Sequence, residues 1–525
     1  MAKVQLDEDN FIKQIVQHGY FAEQFPKCFN SDSLAEKISI VMPVVSCGKR
    51  QASYSTANKT SPTTLSTFKN DISRRLLSLP NPKSFLRVVK LMSENWHAIK
   101  NASSSNNSLS PITYLHKYGE DDIEALNSEN VRESKHSRSD LVEGIKNCIR
   151  ISLGYKYRLK VDIANCYNSI YTHSIAWAMC GKDEAKNMLL RNIPETDLYK
   201  LADCLDAFIR FQKNNETNGI VVGPYTSRIF SEIILADIDK RLKEKRYNFK
   251  RYVDDYKFYF RTEYQAQESI PRIENLFGDY NLSINTGKTK IDRYPFEVMS
   301  SMKKAYLEAY EKEGVFGVLN IAADFHNKGE DGAYKYALKF IKNTSVPRED
   351  QELVVSLLTN IMLINPKYGK IIVPYIKHFI TDRDIEGLSK VYNQELLSSL
   401  DNDFDEETLL FIHIIKELRL FVNAESLTKI LCSNNDFAII IALDIWKNRR
   451  THVKRTKKEA SDINSCIKKL GHSLVGEKYN GSRWLLLHEI RMHKLINTNI
   501  FISPVDDDFF NILASNKISF YLGIK

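Results

Sequence analysis

The chain has 525 residues, 43% of them hydrophobic, and carries a formal charge of +9. That length exceeds a single hydrophobic core, so about two or three compact domains are expected, and a protein disordered throughout is excluded. The positive balance suits a polyanionic partner without selecting one. Eight cysteines (Cys28, Cys47, Cys148, Cys166, Cys180, Cys204, Cys432 and Cys466) form no CxxC pair, which argues against a disulfide framework or a zinc site. The opening MAKVQLDEDNF mixes charges where a targeting segment would be basic and then apolar, and no apolar run is long enough to cross a bilayer. A soluble, cytoplasmic protein with no membrane partner is expected.

In chain order, residues 1 to about 150 are mixed and loop-rich, with turn signals at Pro80-Asn81-Pro82 and a Ser/Asn cluster from Asn101 to Ser110. From Tyr157 the pattern sharpens. RLKVDIA reads as a strand, YTHSIAWAMC as the start of a helix, and Ser227 to Leu242 as a long amphipathic helix. Arg251 to Arg261 is aromatic and β-branched around a turn, which predicts a hairpin. After about Ser300 strand signals nearly vanish. Segments such as QELVVSLLTNIMLI, EETLLFIHIIKELRLF and SRWLLLHEIRMHKLI space apolar residues as helices do, predicting a helical-repeat array or a compact bundle.

The hairpin carries Tyr252-Val253-Asp254-Asp255 at its turn. Two adjacent carboxylates on a half-buried turn repel each other and lose hydration, which a divalent cation or a proton can offset. Asp is also favoured in solvated turns, so the pair alone does not decide. A second carboxylate strand lies upstream in LKVDIANCY, where Asp162 is followed five positions later by Tyr167. If the two strands are neighbours, Asp162 and Asp254 converge as the hard-oxygen ligand set of two Mg²⁺ ions, with Mn²⁺ as the alternative ion. Between them, TNGIVVGPYTSRIFSEIILADID places Gly223 and Pro224 in a loop entering a helix, where a glycine lets backbone approach a nucleotide. Lys288, in YNLSINTGKTKID, sits where an ammonium could meet a triphosphate and protonate pyrophosphate, although an exposed turn has the same composition.

Taken together, VDIANCY, NGIVVGPYTSR, YVDD and NTGKTKI resemble, in order, motifs A to D of the reverse-transcriptase palm. YTHSIAWA, SRIFSEI and KTKIDRYPF are similar to the abortive-infection polymerases of the AbiK type, which are bacterial phage-defence proteins, and RRLLSLPNPKSF resembles their first fingers motif. The resemblance covers about residues 70 to 300. It implies an α+β fold: a reverse-transcriptase-like domain over 1–300 (fingers about 1–155, palm about 156–300), then an all-α, HEAT-like helical-repeat domain over 301–525.

The resemblance further implies that Asp162 and Asp254 bind both metals, that Asp255 assists, and that the Ile163 carbonyl completes one coordination sphere. Tyr167 would be the steric gate against a 2′-hydroxyl, with a core tyrosine as the alternative, Lys288 the general acid, and Arg74 and Arg75 the fingers contacts to triphosphate, with a surface salt bridge as the alternative. Deoxynucleoside triphosphates would be substrates and single-stranded DNA the product, covalently attached to a tyrosine, in a homo-oligomer. The chain has 26 tyrosines; Tyr20 and Tyr54, in the irregular N-terminal region, are candidate primers. The run Trp446 to Glu459, with seven Lys or Arg, could line a product path or be a solvated face. His173 fits a local hydrogen bond better than catalysis. Three activities stay open: untemplated, protein-primed DNA synthesis; template-dependent reverse transcription; and a non-catalytic nucleic-acid-binding scaffold.

Overall fold

A computed structural model of the chain describes residues 3–45, 59–70, 73–116, 146–296, 301–330, 332–341, 346–381, 384–448, 455–497, 499–501 and 507–523. Cys47, Tyr54 and the centre of the basic run, 449–454, lie outside these. The region expected to be loop-rich contains helix α1 (Phe11–Gly19), a long hairpin of β2 (Thr63–Asn70) and β3 (Ser73–Leu79), and helix α2 (Pro82–Glu94). A short β1 (Lys3–Gln5) pairs antiparallel with β4 (Tyr114–His116). The Pro80-Asn81-Pro82 turn is the helix start. Asn81 accepts from the Lys83 amide at 3.0 Å as N-cap of α2, and Pro82 takes the first helical position, where its missing N–H costs nothing.

The central sheet has four antiparallel strands in the order β6 (Phe249–Tyr252), β7 (Asp255–Phe260), β5 (Tyr157–Asp162) and β8 (Lys290–Arg293). One face is apolar: Leu159, Val161, Phe249, Tyr256 and Phe258 are buried. Helix α6 (Glu263–Gly278), started by a Thr262–Gln265 capping box, packs against β5 and β7. Helix α5 (Tyr225–Glu244) covers the expected Ser227–Leu242 but is not simply amphipathic. Its polar Ser227, Ser231, Glu232 and Asp239 are buried beside Ile229, Ile233 and Ile238, because it is surrounded on most sides. The helices between β5 and α5 include α3 (Cys166–Ser169) and α4 (Asp197–Phe211).

From Ser301 onward the described residues form helices, beginning with α7 (Ser301–Asn327) and α8 (Ala333–Ile341). They are followed by α9 (Gln351–Ile364), α10 (Gly369–Phe379), α11 (Asp384–Asp401) and α12 (Asp405–Glu417). Successive helices pack as pairs, α7 on α8, α9 on α10 and α11 on α12. Helices α13 (Ala424–Leu431), α14 (Asp436–Asn448), α15 (Lys457–Ser473), α16 (Trp484–His493) and α17 (Asp508–Ser515) complete the half. Among the described residues no helix is long and apolar enough to cross a membrane.

The helical half is packed into the N-terminal region. Phe25 meets Phe437 with ring centroids 4.8 Å apart, Phe29 meets Tyr521 at 5.2 Å, and Tyr20 meets Phe520 at 5.8 Å. The first turn of α12 also grips the β2–β3 hairpin. Asp405 accepts from the Ser66 amide at 3.2 Å, Glu406 from the Phe68 amide at 2.5 Å, and Glu407 takes two nitrogens of the Arg74 guanidinium. Three acids at a helix N-terminus are favoured by its dipole, and here Asp405 and Glu406 also occupy amides of an edge strand.

Burial pushes the Glu406 carboxyl up to about 7; the Phe68 amide opposes the shift and Glu407 adds to it. The folded state therefore binds the proton more tightly than the unfolded chain. The stabilisation is full below about pH 4.5, the ordinary glutamate value, and is lost as pH rises through 7. Glu406→Gln is expected to flatten the pH dependence of unfolding by on the order of 2 kcal/mol between pH 5 and 8. Denaturant titrations at the two pH values measure it; parallel slopes in both proteins would contradict it.

Candidate active site

The β6–β7 hairpin closes through two residues, Val253 and Asp254, between the paired Tyr252 and Asp255. Val253 has φ 58°, a left-handed conformation that a β-branched residue adopts at a cost of about 1–3 kcal/mol. Arg251 holds it there. Its guanidinium, fully buried, donates to the Val253 carbonyl at 2.9 Å, to Glu232 at 2.7 and 3.1 Å, and to Asp239 at 2.7, 3.0 and 3.1 Å. Tyr256 and Ser105 donate to Asp239 at 3.0 and 2.6 Å. Arg228 pairs with Glu232 at 3.1 Å, so two guanidiniums balance two buried carboxylates. Burial pushes the Asp239 carboxyl up and Arg251 opposes it.

Asp162 ends β5 directly opposite Asp255. Ile163 donates to the Asp254 carbonyl at 3.3 Å and Ala164 to the Ser283 carbonyl at 2.8 Å, extending the pairing past both strand ends. Asp162, Asp254 and Asp255 therefore meet at one end of the sheet. Burial raises the Asp254 carboxyl, and Asp162 raises it further. Asp255 rises to about 6 through burial, the Asp254 charge and its contact with Asp162. Two carboxyls raised by burial and by acidic neighbours mark a place where a cation is electrostatically welcome.

Among the described residues no three His, Cys, Asp or Glu groups are preformed as a metal cage. One Asp162 oxygen instead accepts from Asn285 at 3.0 Å and lies 3.3 Å from the Lys288 ammonium. That is compatible with Mg²⁺, which is commonly held by one or two carboxylates plus substrate phosphates. The all-oxygen donor set of Asp162, Asp254 and Asp255, with Ile163 next to Asp162, fits that ion. Lys288 is 63% exposed, so its ammonium is free to swing between Asp162 and an incoming group.

Tyr167 lies on α3, which residues 217–220 sew in place. Ile220 donates to the Tyr167 carbonyl at 2.9 Å, Gly219 to Ile170 at 2.8 Å, and Thr172 to Thr217 at 3.0 Å. The Tyr167 hydroxyl meets Ser231 of α5, and burial raises its pKa. Gly219 has φ 76°, and a Cβ there would stand 2.9 Å from the Asn168 carbonyl.

Other expected residues have different neighbours. Gly223, with φ 142°, faces the β3 strand; a Cβ would meet the Ser78 carbonyl at 3.2 Å and Ala22 at 3.3 Å. Its close approach thus serves packing against the hairpin, where Ser78 donates to Val222 at 2.8 Å. Pro224 is the residue before α5 and sets its entry. Arg74 is not at the carboxylates: Glu407 and Ser66 hold it, and Phe404 lies under its guanidinium at 4.6 Å. Arg75 is exposed on β3 opposite Thr67. Tyr20, in the N-terminal region expected to be irregular, is fully buried after α1 and donates to the Pro80 carbonyl at 2.6 Å.

The basic run is divided. Lys447 donates to the His493 carbonyl at 2.6 Å, Arg455 to Val422 at 2.8 Å, and Thr456 caps α15. His173 bonds Asp206 of α4 at 2.9 Å. Sequence reasoning missed Arg251, Glu232, Asp239, Arg228 and Asn285. The available signal was Glu232 and Asp239 seven residues apart, two turns of one helix, with an arginine directly before Tyr-Val-Asp-Asp.

Residues 60–303 match the family model described as reverse transcriptase (RNA-dependent DNA polymerase). This stretch is a reverse-transcriptase-like domain. The carboxylate cluster and Tyr167 fall inside it, and the matched family is described as one of polymerases. Similar solved structures include apo telomerase from Candida tropicalis, 12% identical with a TM-score of 0.30, covering 78% of this chain and 68% of that one. Another is telomerase from Candida albicans with a fragment of telomeric RNA, 13% identical with a TM-score of 0.25, covering 76% of this chain and 66% of that one. No curated protein matches the chain.

Proposed function

We propose that the chain is a DNA polymerase that adds deoxynucleotides without a template, starting from a tyrosine hydroxyl of its own, in abortive-infection phage defence. The observation that carries the polymerase chemistry is the meeting of Asp162, Asp254 and Asp255 at one end of the sheet, with Lys288 beside them. The untemplated, protein-primed part rests on the likeness of YTHSIAWA, SRIFSEI and KTKIDRYPF to the AbiK-type polymerases, which also supports a homo-oligomer, a cytoplasmic location and a functional division near residue 300. Asp162 and Asp254, with Asp255 and the Ile163 carbonyl, would hold two Mg²⁺ ions. Bound there, the ions would acidify the attacking hydroxyl and neutralise charge on the triphosphate.

The chain's own residues supply the rest. The tyrosine oxygen would bond to the α-phosphorus as the bond from that phosphorus to the pyrophosphate oxygen breaks; the phenol proton would pass to solvent water, and the leaving pyrophosphate would take a proton from Lys288. Tyr167, pinned by Ser231 and by residues 217–220, would exclude a 2′-hydroxyl. Burial of Tyr20 favours Tyr54 over it as the primer. Arg75, exposed on the hairpin, is the remaining fingers candidate for triphosphate.

A second reading, template-dependent reverse transcription, is favoured by the description of the matching family. The test incubates purified protein with Mg²⁺ and each labelled deoxynucleotide, without template or primer, followed by denaturing electrophoresis. Label that stays with the protein and is released by DNase is the expected outcome. Incorporation only on an added RNA template and primer would replace the first reading with the second.

A further inference from the structure

The polar face of the central sheet carries a row of four lysines that no reading of the active site uses. Lys250 pairs directly with Lys257, Lys257 with Lys160, and Lys160 with Lys290, so one lysine from each strand lies in a line across the whole sheet. Directly paired residues share a face, and their neighbours Leu159, Val161, Tyr256 and Phe258 are buried on the other. With strands roughly 4.8 Å apart, the row spans about 14 Å. Asp162 and Asp255 stand on the same face two residues along their strands, roughly 7 Å away.

Like charges directly opposed across strands destabilise a sheet, so three consecutive Lys–Lys pairs are not explained by folding. Internal compensation is thin. Asp292 is shared by Arg158 at 2.8 Å, Lys160 at 2.9 Å and Lys290 at 3.5 Å. Burial would raise the Asp292 carboxyl, but Arg158 and Lys160 hold it below the usual range. Lys250 donates to the Asn106 carbonyl at 2.7 Å, which satisfies a donor without cancelling a charge.

We propose that this lysine row is a binding site for the phosphodiester backbone of a single DNA strand whose end lies at Asp162, Asp254 and Asp255. The row adjoins the carboxylates, matches a polyanion in charge, and presents the partly exposed Lys257 and the 73% exposed Lys290 to solvent. The assignment of the ligand as a DNA strand rests on the polymerase reading; the site itself does not.

The test measures binding of a fluorescent single-stranded oligothymidylate by anisotropy between 50 and 200 mM salt. EDTA is present, nucleotides are absent, and every protein carries Asp254→Asn so that no self-made DNA competes. Lys250→Gln/Lys257→Gln is expected to reduce the slope of log affinity against log salt by about 1.4, and to weaken binding on the order of ten-fold at 100 mM. The pair should melt no lower than its parent, because the substitution removes repulsion, and Lys250→Arg/Lys257→Arg should retain the slope. Lys186→Gln/Lys200→Gln, at exposed lysines elsewhere in the domain, should change neither quantity. An unchanged slope in the row variant, an equal loss in the control pair, or no binding by the parent would overturn the proposal. Polymerisation plays no part in this readout, so failure of the polymerase reading is scored separately.

Discussion

Asp254→Asn is expected to lower deoxynucleotide incorporation by about a thousand-fold or more, equivalent to about 4 kcal/mol of transition-state stabilisation. Stability should move the other way. Burial and the neighbouring Asp162 charge already raise the Asp254 carboxyl, so an uncharged amide relieves repulsion in the metal-free protein. The variant should therefore melt no lower than the parent without Mg²⁺, and should lose the rise in melting temperature that Mg²⁺ gives the parent. A metal ligand predicts that combination; a residue needed only for folding predicts loss of activity together with a lower melting temperature. Asp255→Asn, at a more exposed position, should cost less activity than Asp254→Asn. Undiminished incorporation by Asp254→Asn would remove the carboxylate cluster from the chemistry.

What was legible beforehand follows from how locally each feature is determined. The strand at Tyr157–Asp162, the hairpin around Asp254 and the helix Gln351–Ile364 are written in periodicity and turn chemistry within a few residues. The sequence left the neighbouring of the Asp162 and Asp254 strands conditional, and the register of Asp162 opposite Asp255 comes from the strand pairing. Arg74 stayed open between a triphosphate contact and an ion pair because its partner, Glu407, lies more than 300 residues away and gives no local signal. Tyr20 stayed open between primer and packed ring for a similar reason: Phe85 and Phe520 close over it, converting an apparently irregular segment into core. Gly223 was assigned the right kind of freedom but the wrong neighbour, since a glycine shows that something approaches without showing what. The lysine row was invisible until the register of three strand pairs was known, because each strand alone carries only an ordinary alternating lysine.

Arg251 links the hidden framework to the visible motif, and its removal is the most destructive single change expected outside the carboxylates. Arg251→Met leaves a side chain of suitable length but no charge where Glu232 and Asp239 converge, and should destabilise the protein by about 3–5 kcal/mol. The two acids do not suffer equally. Glu232 keeps Arg228 at 3.1 Å, whereas Asp239 retains only the hydroxyls of Tyr256 and Ser105 among its partners here. Adding Asp239→Asn to Arg251→Met should therefore recover more stability than adding Glu232→Gln, and denaturant unfolding of the two double variants measures the difference. Activity should not recover with stability. The Val253 carbonyl still lacks the donor that holds the left-handed turn, so Asp254 loses its fixed place opposite Asp162 even in a refolded core. Arg251→Lys should behave much as Arg251→Met in activity, because one ammonium cannot reach Glu232, Asp239 and the Val253 carbonyl together. Full activity in the stability-restored double variant would show that the turn holds itself, and that Arg251 serves only the charge balance beneath it.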